Sequence, residues 1–576
     1  MASASSTTAS VSERRQALES LYPAWPHFTL SQALDAAAQR HPERPLVLTA
    51  QRGYSYAEIV EWSGRLAAGL IDLGVRAGEH VAVVMANCPE FVALKFAIAR
   101  AGAVAVPINF LLRRDELAYV LAQSDAAVMV SMDSFRELDY LEMLDQLAPG
   151  WEDAGGGERF PRLREVVVFP FAGGGRDGAK AISDLDRPPS GGLAEELARR
   201  ELAFDPSATA DVIYTSGTSG APKGVMLSHD ALLRSAYSSA WTRAFADGRR
   251  ILFALPLYHV FSYVEGMLAA LFAGGAVIPQ SIFDPVATLR AVQEHQADEA
   301  LFVPTMTIAV LDAARAGTFD AGSLRAVMSA AAPAPVRLWQ AVREQLGVPE
   351  IVTAYGMTET SAATTYTEPD GPLELVASTV GRPKRGGVAG DPDLGGLVVT
   401  YKTVDPLSGA DLPDGAEGEL TARGPILTHG YYAKPDETAA ALDSDGWLRS
   451  GDLGRIDPDG SVVLTGRSKE LYKCGGELVA PKEVEECLSS HPDVAQAYVV
   501  GLPDERMGEI GCAWVVPAGA EPPDPEPLIA RCRERLARFK VPERVLFLSA
   551  EELPTTATGK VQKFRLIERA RAHQPD

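Results

Sequence analysis

The sequence predicts an α/β protein. A large N-terminal domain of layered, mostly parallel α/β sheets carries a small β-subdomain, and a small α+β C-terminal domain follows it. Three observations carry this expectation. Short apolar runs alternate with helical patterns as far as residue 380, the signature of parallel strands joined by covering helices. The texture then turns rich in Gly, Asp and Pro, with short alternating segments. Past "GSVVLTGRSKELYK" a last stretch of about a hundred residues, the size of an independent domain, mixes helices with strands.

Residues 1–24 read as a disordered lead. Helical periodicity starts at "FTLSQALDAAAQRH". "HVAVVMAN" and "GAVAVPIN" are apolar runs of strand length, and "EFVALKFAIARAG" between them has the length of a helix. "AAVMVSM" and "LREVVVFP" extend the series. "GGGERFP" and "FAGGGRDGAK" are glycine-rich surface loops. A second series of α/β units runs from "ADVIYTSG" through "RILFALPLYHV", "GGAVIPQSIF", "EALFVPTM", "LRAVMSAAAP" and "EIVTAYGMTE". The β-subdomain begins at "GRPKRGGVAGDPDLGGLVVTYKTV" and continues to "GAEGELTARGP". In the last stretch "APKEVEECLSSHP" is a helix entered at a proline. "VAQAYVVGLPD" and "CAWVVPA" are strands, and "PLIARCRERLARFK" is a second helix. These boundaries give an N-terminal domain over 25–466, a connection at 467–469 and a C-terminal domain over 470–576.

Composition narrows the function. The 576 residues are 46% hydrophobic, an ordinary globular value in a chain too long for one domain. Lys and Arg number 54 against 76 Asp and Glu, a net charge of −22. Such an acidic chain is a poor partner for nucleic acid or anionic membranes, so any polyanionic ligand must be met by local cations and backbone N–H groups. Five scattered cysteines (Cys88, Cys474, Cys487, Cys512 and Cys532) form no CxxC pair, which argues against a disulfide framework and a zinc site. "MASASSTTASVSERRQALES" has no apolar signal core, and "GMLAALFAGGAVIP" is too short to span a bilayer. The expectation is a cytoplasmic protein with no membrane span; the sequence leaves its oligomeric state open.

The chemistry concentrates in "YTSGTSGAPKGVMLSH" at 214–229. "DVIYT" is a strand, "SGTSGAPKG" a loop, "VMLS" a short strand, and a helix begins with Ser228 as its cap. Gly217 and Gly220 let the backbone close on a ligand with N–H groups pointing inward. Thr215, Ser216, Thr218 and Ser219 add hydroxyl donors, and Lys223 adds a positive charge. This is a polyphosphate cradle. A P-loop needs Ser or Thr directly after the lysine to ligate magnesium. Gly224 stands there instead, so the P-loop NTPase reading fails. A glycine–serine surface turn is the plainer alternative.

"YTSGTSGAPKG" resembles the phosphate loop of the adenylate-forming superfamily, which includes acyl-CoA synthetases, free-standing adenylation domains and beetle luciferases. "YGMTET" (355–360), "WLRSGD" (447–452), "GRSKELYKCGGELVAPKEVE" (466–485) and "PTTATGK" (554–560) resemble further motifs of that family in the same order. The resemblance covers residues 25–570 and implies an acid–thiol ligase using ATP, Mg2+ and coenzyme A. It implies Glu359 as the magnesium ligand, since a carboxylate and water suit this hard, octahedral ion. Tyr355 would stack near the adenine and Thr358 face the α-phosphate, with Ala331 and Gly356 among the nucleotide contacts. Asp452 would accept both ribose hydroxyls through charge-assisted bonds contributing about 1.5–3 kcal/mol each, and Arg467 would reach the ribose or phosphate. Lys560 would offset charge on the pentavalent phosphorus. Lys469 resembles a hinge, which implies a mobile C-terminal domain, and Gly475 and Gly476 resemble a wall of a pantetheine tunnel beside Lys473. His259, in "LPLYHVFSYVEG", resembles a histidine that gates the acyl pocket. Taken singly, these are a loop glutamate, a turn aspartate, a surface lysine and a packed histidine.

Amino-acid-activating relatives use an aspartate near His259 to bind the α-ammonium; none occurs between positions 255 and 263. Small residues in "SAAAPAP" (329–335) and "TSAATT" (360–365) leave volume for a long or bulky apolar acid. A dry pocket gains about 0.8 kcal/mol per buried methylene, which favours a fatty or polycyclic acid over acetate. One stretch departs from the family pattern. After "GRP" (381–383), "KRGGVAGDPDLGG" (384–396) intervenes before the next strand, either as a longer loop or as an element that alters substrate entry or domain docking. Three alternatives stay open. The thiol belongs to a carrier protein, the enzyme is specialised for one half-reaction such as thioesterification of acyl-AMP, or the chain is a non-enzymatic nucleotide binder. The intact Lys223, Glu359, Asp452 and Lys560 argue against the last.

Overall fold

The computed structural model describes residues 9–215, 222–332, 334–467, 470–474, 477–504, 506–519, 521–556 and 561–572. The chain divides into two compact units, one of Met1–Thr400 with Arg423–Gly446 and one of Tyr401–Ala422 with Trp447–Asp576.

The larger unit is built on two seven-stranded sheets. In the first, Glu350–Val352, Ala326–Ser329, Glu299–Phe302, Arg250–Phe253, Ala276–Pro279 and Pro45–Leu48 run parallel, and Gly53–Ser55 closes one edge antiparallel. In the second, Thr209–Thr215, Val104–Pro107, His80–Val84, Val128–Met132, Glu165–Phe169 and Lys180–Ala181 are parallel, and Lys223–Ser228 adds an antiparallel edge beside Thr209–Thr215. His80–Val84 and Val128–Met132 are buried at every position. That is why they read as unbroken apolar runs and not as alternations. The helix Pro89–Arg100 is buried almost all round and starts at a proline, where a missing N–H has no cost. Tyr56–Asp72 starts at a capping box between Ser55 and Glu58. Among the described residues no helix is long and apolar enough to cross a membrane.

The smaller unit holds a four-stranded sheet in which Gly418–Arg423, Leu448–Ile456 and Val462–Arg467 pair antiparallel in turn. Its second sheet centres on the hairpin Val494–Asp504/Gly508–Pro517, with Arg544–Phe547 parallel to the latter. Alternate residues of the hairpin point to opposite faces. Val499 and Val515 pack with Val484, Leu488, Leu528 and Cys532 of the helices Pro481–Ser489 and Pro525–Arg535. Val500 and Trp514 pack with Leu566 and Ala570 of the helix Lys563–Ala572.

Two features differ from the reading of the sequence, and a third stretch that the sequence left open takes a definite form. The lead expected to be disordered over 1–24 contains the helix Val11–Ser20, opened by a capping box between Ser10 and Glu13. Arg14 reaches Glu350 at 2.5 Å, and Tyr22 and Trp25 pack on Tyr237 and Phe272. These partners lie hundreds of residues away, so local composition does not reveal them. The helix expected over "PLIARCRERLARFK" stops at Arg535, and Leu536 is extended. The 384–396 stretch folds back on itself. Gly386 N–H donates to Gly396 O at 2.9 Å, Asp391 N–H to Leu397 O at 2.9 Å, and Arg234 to Ala389 O at 2.6 Å.

Candidate active site

The hairpin Thr209–Thr215/Lys223–Ser228 sets the base of the glycine loop. Its register pairs Thr215 with Lys223 and Tyr214 with Gly224. A side-chain carbon on Gly224 would meet Val212 Cγ1 at 2.6 Å. The position that an ordinary phosphate loop fills with Ser or Thr is therefore closed here by strand packing. Ser228 caps the next helix by accepting from Ala231 N–H, as its type and position predict. Ser216, Gly217, Thr218, Ser219 and Gly220 lie outside the described residues, as do Lys469, Gly475, Gly476 and Lys560.

Residues 428–432 tie this hairpin to "YGMTET". Met226 N–H donates to Gly430 O at 3.0 Å, Tyr432 N–H to Gly224 O at 2.8 Å, and Thr428 N–H to Glu359 O at 2.7 Å. The Tyr431 hydroxyl donates to Glu359 Oε1 at 2.9 Å, and the Lys223 ammonium sits 4.7 Å from the centre of the Tyr431 ring. Lys223, Tyr431 and Glu359 thus form one contact chain. Nothing in the sequence marks Tyr431 or Thr428 as part of it; a Gly–Tyr–Tyr run has no motif chemistry of its own.

Tyr355 and Gly356 lie on the strand Ala354–Met357, and Thr358 and Glu359 form the turn that follows. Thr358 is buried and Glu359 half-buried. A side chain on Gly356 would collide with Ala362 O at 2.0 Å, so the close pairing of the two strands requires glycine. Ala331 follows Ala326–Ser329 and adopts a φ of 72°, a left-handed conformation that costs an alanine roughly 1–3 kcal/mol and clusters at ligand sites. His259 caps the turn Val260–Ser262, its Nδ1 accepting from Phe261 N–H at 3.2 Å. A π-helical segment, Tyr263–Leu268, comes next, a feature frequent at functional sites. Ala331, His259 and Tyr355 all follow strands of one parallel sheet, at the carboxyl edge where open α/β sheets bind ligands.

In the smaller unit Asp452 and Arg467 are direct cross-strand partners, with Arg467 Nε 2.9 Å from Asp452 Oδ1. Lys473 is exposed, and its N–H donates to Glu509 Oε2 at 2.8 Å.

A family model described as AMP-binding enzyme matches residues 34–432, and its C-terminal domain model matches 483–560. The chain belongs to the AMP-binding enzyme family. Within this adenylate-forming family it lies in the acyl-CoA synthetase branch. One relative is the 3-[(3aS,4S,7aS)-7a-methyl-1,5-dioxo-octahydro-1H-inden-4-yl]propanoyl:CoA ligase of Mycobacterium tuberculosis (strain ATCC 25618 / H37Rv). It is 33% identical over 94% of this chain and 98% of that one. The mitochondrial medium-chain acyl-CoA ligase ACSF2 of Danio rerio is 31% identical, over 94% of this chain and 88% of its own. MatB from Rhodopseudomonas palustris, solved with ATP bound, superposes with a TM-score of 0.76 at 28% identity, covering 94% of this chain and 99% of that one.

The electrostatics of this AMP-binding enzyme suit a metal–polyphosphate ligand. Burial, and then the Glu359 charge, push the Tyr431 hydroxyl above the usual phenol range, so it stays a proton donor to that carboxylate. Among the described residues no group of three or more His, Cys, Asp or Glu gathers as a metal cage. Glu359 contributes a single half-buried carboxylate. Magnesium is commonly held by one or two carboxylates with water and substrate phosphates completing its shell, and the residues present fit that pattern.

Proposed function

We propose that this AMP-forming acid–thiol ligase activates an apolar carboxylic acid, fatty or bulky and cyclic or aromatic, and transfers it to coenzyme A. The contact chain Lys223–Tyr431–Glu359 at the base of the glycine loop carries the reading. It brings a cation and a carboxylate together where a metal–polyphosphate ligand needs both.

In the first step a carboxylate oxygen of the acid attacks the α-phosphorus of ATP, the bond to pyrophosphate breaks, and acyl-AMP forms. Lys223 and the loop residues 215–220 hold the leaving phosphates, and Thr358 faces the α-phosphate. Tyr355, Gly356 and Ala331 border the nucleotide. Asp452, oriented by Arg467, accepts the ribose hydroxyls, and Lys560 offsets charge on the pentavalent phosphorus. Magnesium held by Glu359 would neutralise part of the phosphate charge. In the second step the thiolate of CoA attacks the acyl carbonyl and AMP leaves with the bonding electron pair. Lys473, Gly475 and Gly476 border the approaching thiol, and His259 closes the acyl pocket. The protein contributes position and charge, and no covalent nucleophile.

An apolar acid is favoured by the small residues of 329–335 and 360–365 and by the lack of an aspartate between 255 and 263. The bicyclic and medium-chain acids in the relatives' names point the same way. The test is a panel of acids scored separately for pyrophosphate release and for the CoA thioester. Efficiency is expected to rise roughly fourfold per added methylene until the pocket fills. Acetate or amino acids matching the apolar acids would overturn the substrate class. Thioester on a carrier-bound phosphopantetheine but not on CoA would overturn the acceptor.

A further inference from the structure

Lys563 is the first residue of the helix Lys563–Ala572. A cation there faces the positive end of the helix dipole, a position disfavoured by about 0.3–1 kcal/mol. Two carboxylates offset this. Lys563 Nζ lies 2.6 Å from Glu470 Oε2 and 2.7 Å from Glu485 Oε1. Burial alone would lower the pKa of Lys563, but Glu485 and Glu470 outweigh it and hold the pKa above that of an ordinary lysine. Glu485 Oε1 also accepts from Val499 N–H at 2.7 Å, which fixes the triad to the long strand Val494–Asp504. Glu470 is the first residue after the 467–469 connection.

The helix that Lys563 opens and the segment before it are also fixed. Trp514 Nε1 donates to Leu566 O at 3.2 Å, and Leu566 is fully buried. Immediately before the helix, Thr555 pairs with Val561 in an antiparallel bridge, and Gln562 N–H donates to Pro554 O at 2.8 Å. The chain between those bridge partners contains Lys560. The triad therefore joins the base of the Lys560 loop to a residue 93 positions away that adjoins the connection.

We propose that Lys563 is a positioning residue for the adenylation half-reaction, its ion triad with Glu470 and Glu485 fixing the base of the Lys560 loop relative to the hinge. The inference rests on the role given to Lys560 above. Removing the lysine leaves two carboxylates uncompensated and costs stability too, but a salt-bridge triad that merely stabilised the fold would act on both half-reactions alike.

The test compares Lys563→Met, Lys563→Arg, Glu470→Gln, Lys560→Ala and the Lys560→Ala/Lys563→Met double variant in the full-length protein. Each is assayed for pyrophosphate exchange and for thioester formation from supplied acyl-AMP, alongside its melting temperature. Lys563→Met is expected to lower kcat for adenylation about ten- to a hundredfold, the scale of a misplacement near 1 Å. Its KM for ATP and its thioesterification should stay within about twofold of wild type, since only the positioned step is affected. Lys563→Arg should restore most of the loss, and Glu470→Gln, which keeps the Glu485 arm, should show a milder form of the same defect. In the Lys560→Ala background, Lys563→Met should cost nothing further, because both act through one group. Normal adenylation in Lys563→Met, equal loss of both half-reactions with a lowered melting temperature, or multiplicative losses in the double variant would overturn the inference while leaving the ligase reading intact. Normal adenylation in Lys560→Ala would overturn both the role of Lys560 and this inference.

Discussion

Asp452 and Arg467 belong to different motifs, and strand register makes them a pair. Asp452 is only 5% exposed, and a carboxylate so buried is tolerated because the guanidinium compensates its charge. On the proposed assignment, Asp452→Ala would remove an acceptor from the ribose, and it leaves Arg467 without this partner. The expected outcome is a KM for ATP raised about a hundredfold or more, the equivalent of two charge-assisted bonds, with both half-reactions slowed because acyl-AMP keeps its ribose. Steady-state kinetics in ATP check this; an unchanged KM would remove Asp452 from the nucleotide site. At this scale the sequence was legible where a residue type has a local cause. Ser228 as a cap is such a case. Tyr431 was not legible, because its partner Glu359 is 72 positions away.

The helix Val11–Ser20 shows what an element gains from distant partners. Its composition is polar and only Arg14 and Leu18 are buried. An isolated ten-residue helix is marginal in water, which is why the segment reads as a disordered lead. The Ser10–Glu13 capping box starts it, and the Arg14–Glu350 pair holds it to the larger unit. Arg14→Ala should destabilise that unit by roughly 1–3 kcal/mol, less than the loss of an isolated buried pair. The loss is smaller because Arg249 Nη2 stays 3.9 Å from the other Glu350 oxygen. Calorimetry should show a lower unfolding midpoint, and limited proteolysis should open sites around residues 9–24. Wild-type behaviour in both would show that the ion pair does not anchor the helix. The helix Pro525–Arg535 makes the complementary point. Its apolar and basic pattern runs on for several residues, but backbone conformation at Leu536 ends it, and no local signal marks that position.

Across the whole molecule the proposed chemistry asks one small domain to serve two steps. Lys560 is assigned to adenylation and Gly475–Gly476 to thiol attack, and a rotation about Lys469 would let each serve in turn. A hinge concentrates a large φ/ψ change in a few residues, and proline fixes φ near −65° and removes the N–H. Lys469→Pro should therefore keep pyrophosphate exchange and lose acyl-CoA formation from supplied acyl-AMP; equal activity in both assays would sink the hinge. By compactness, Tyr401–Ala422 and the segment from Trp447 onward group together, whereas composition draws its boundary at 467–469. Contacts between strands distant in sequence make that grouping. The sequence by itself determined the fold class, the strand series and the family, because buried parallel strands and phosphate-binding loops demand particular residue types at short range. Only the tertiary structure decided that Gly224 is closed off by Val212, that Tyr431 joins Lys223 to Glu359, that residues 11–20 are anchored, and that Lys563 is clamped by two glutamates. Each of these depends on chain segments brought together by packing, and side chains that meet only after folding leave no periodicity to read.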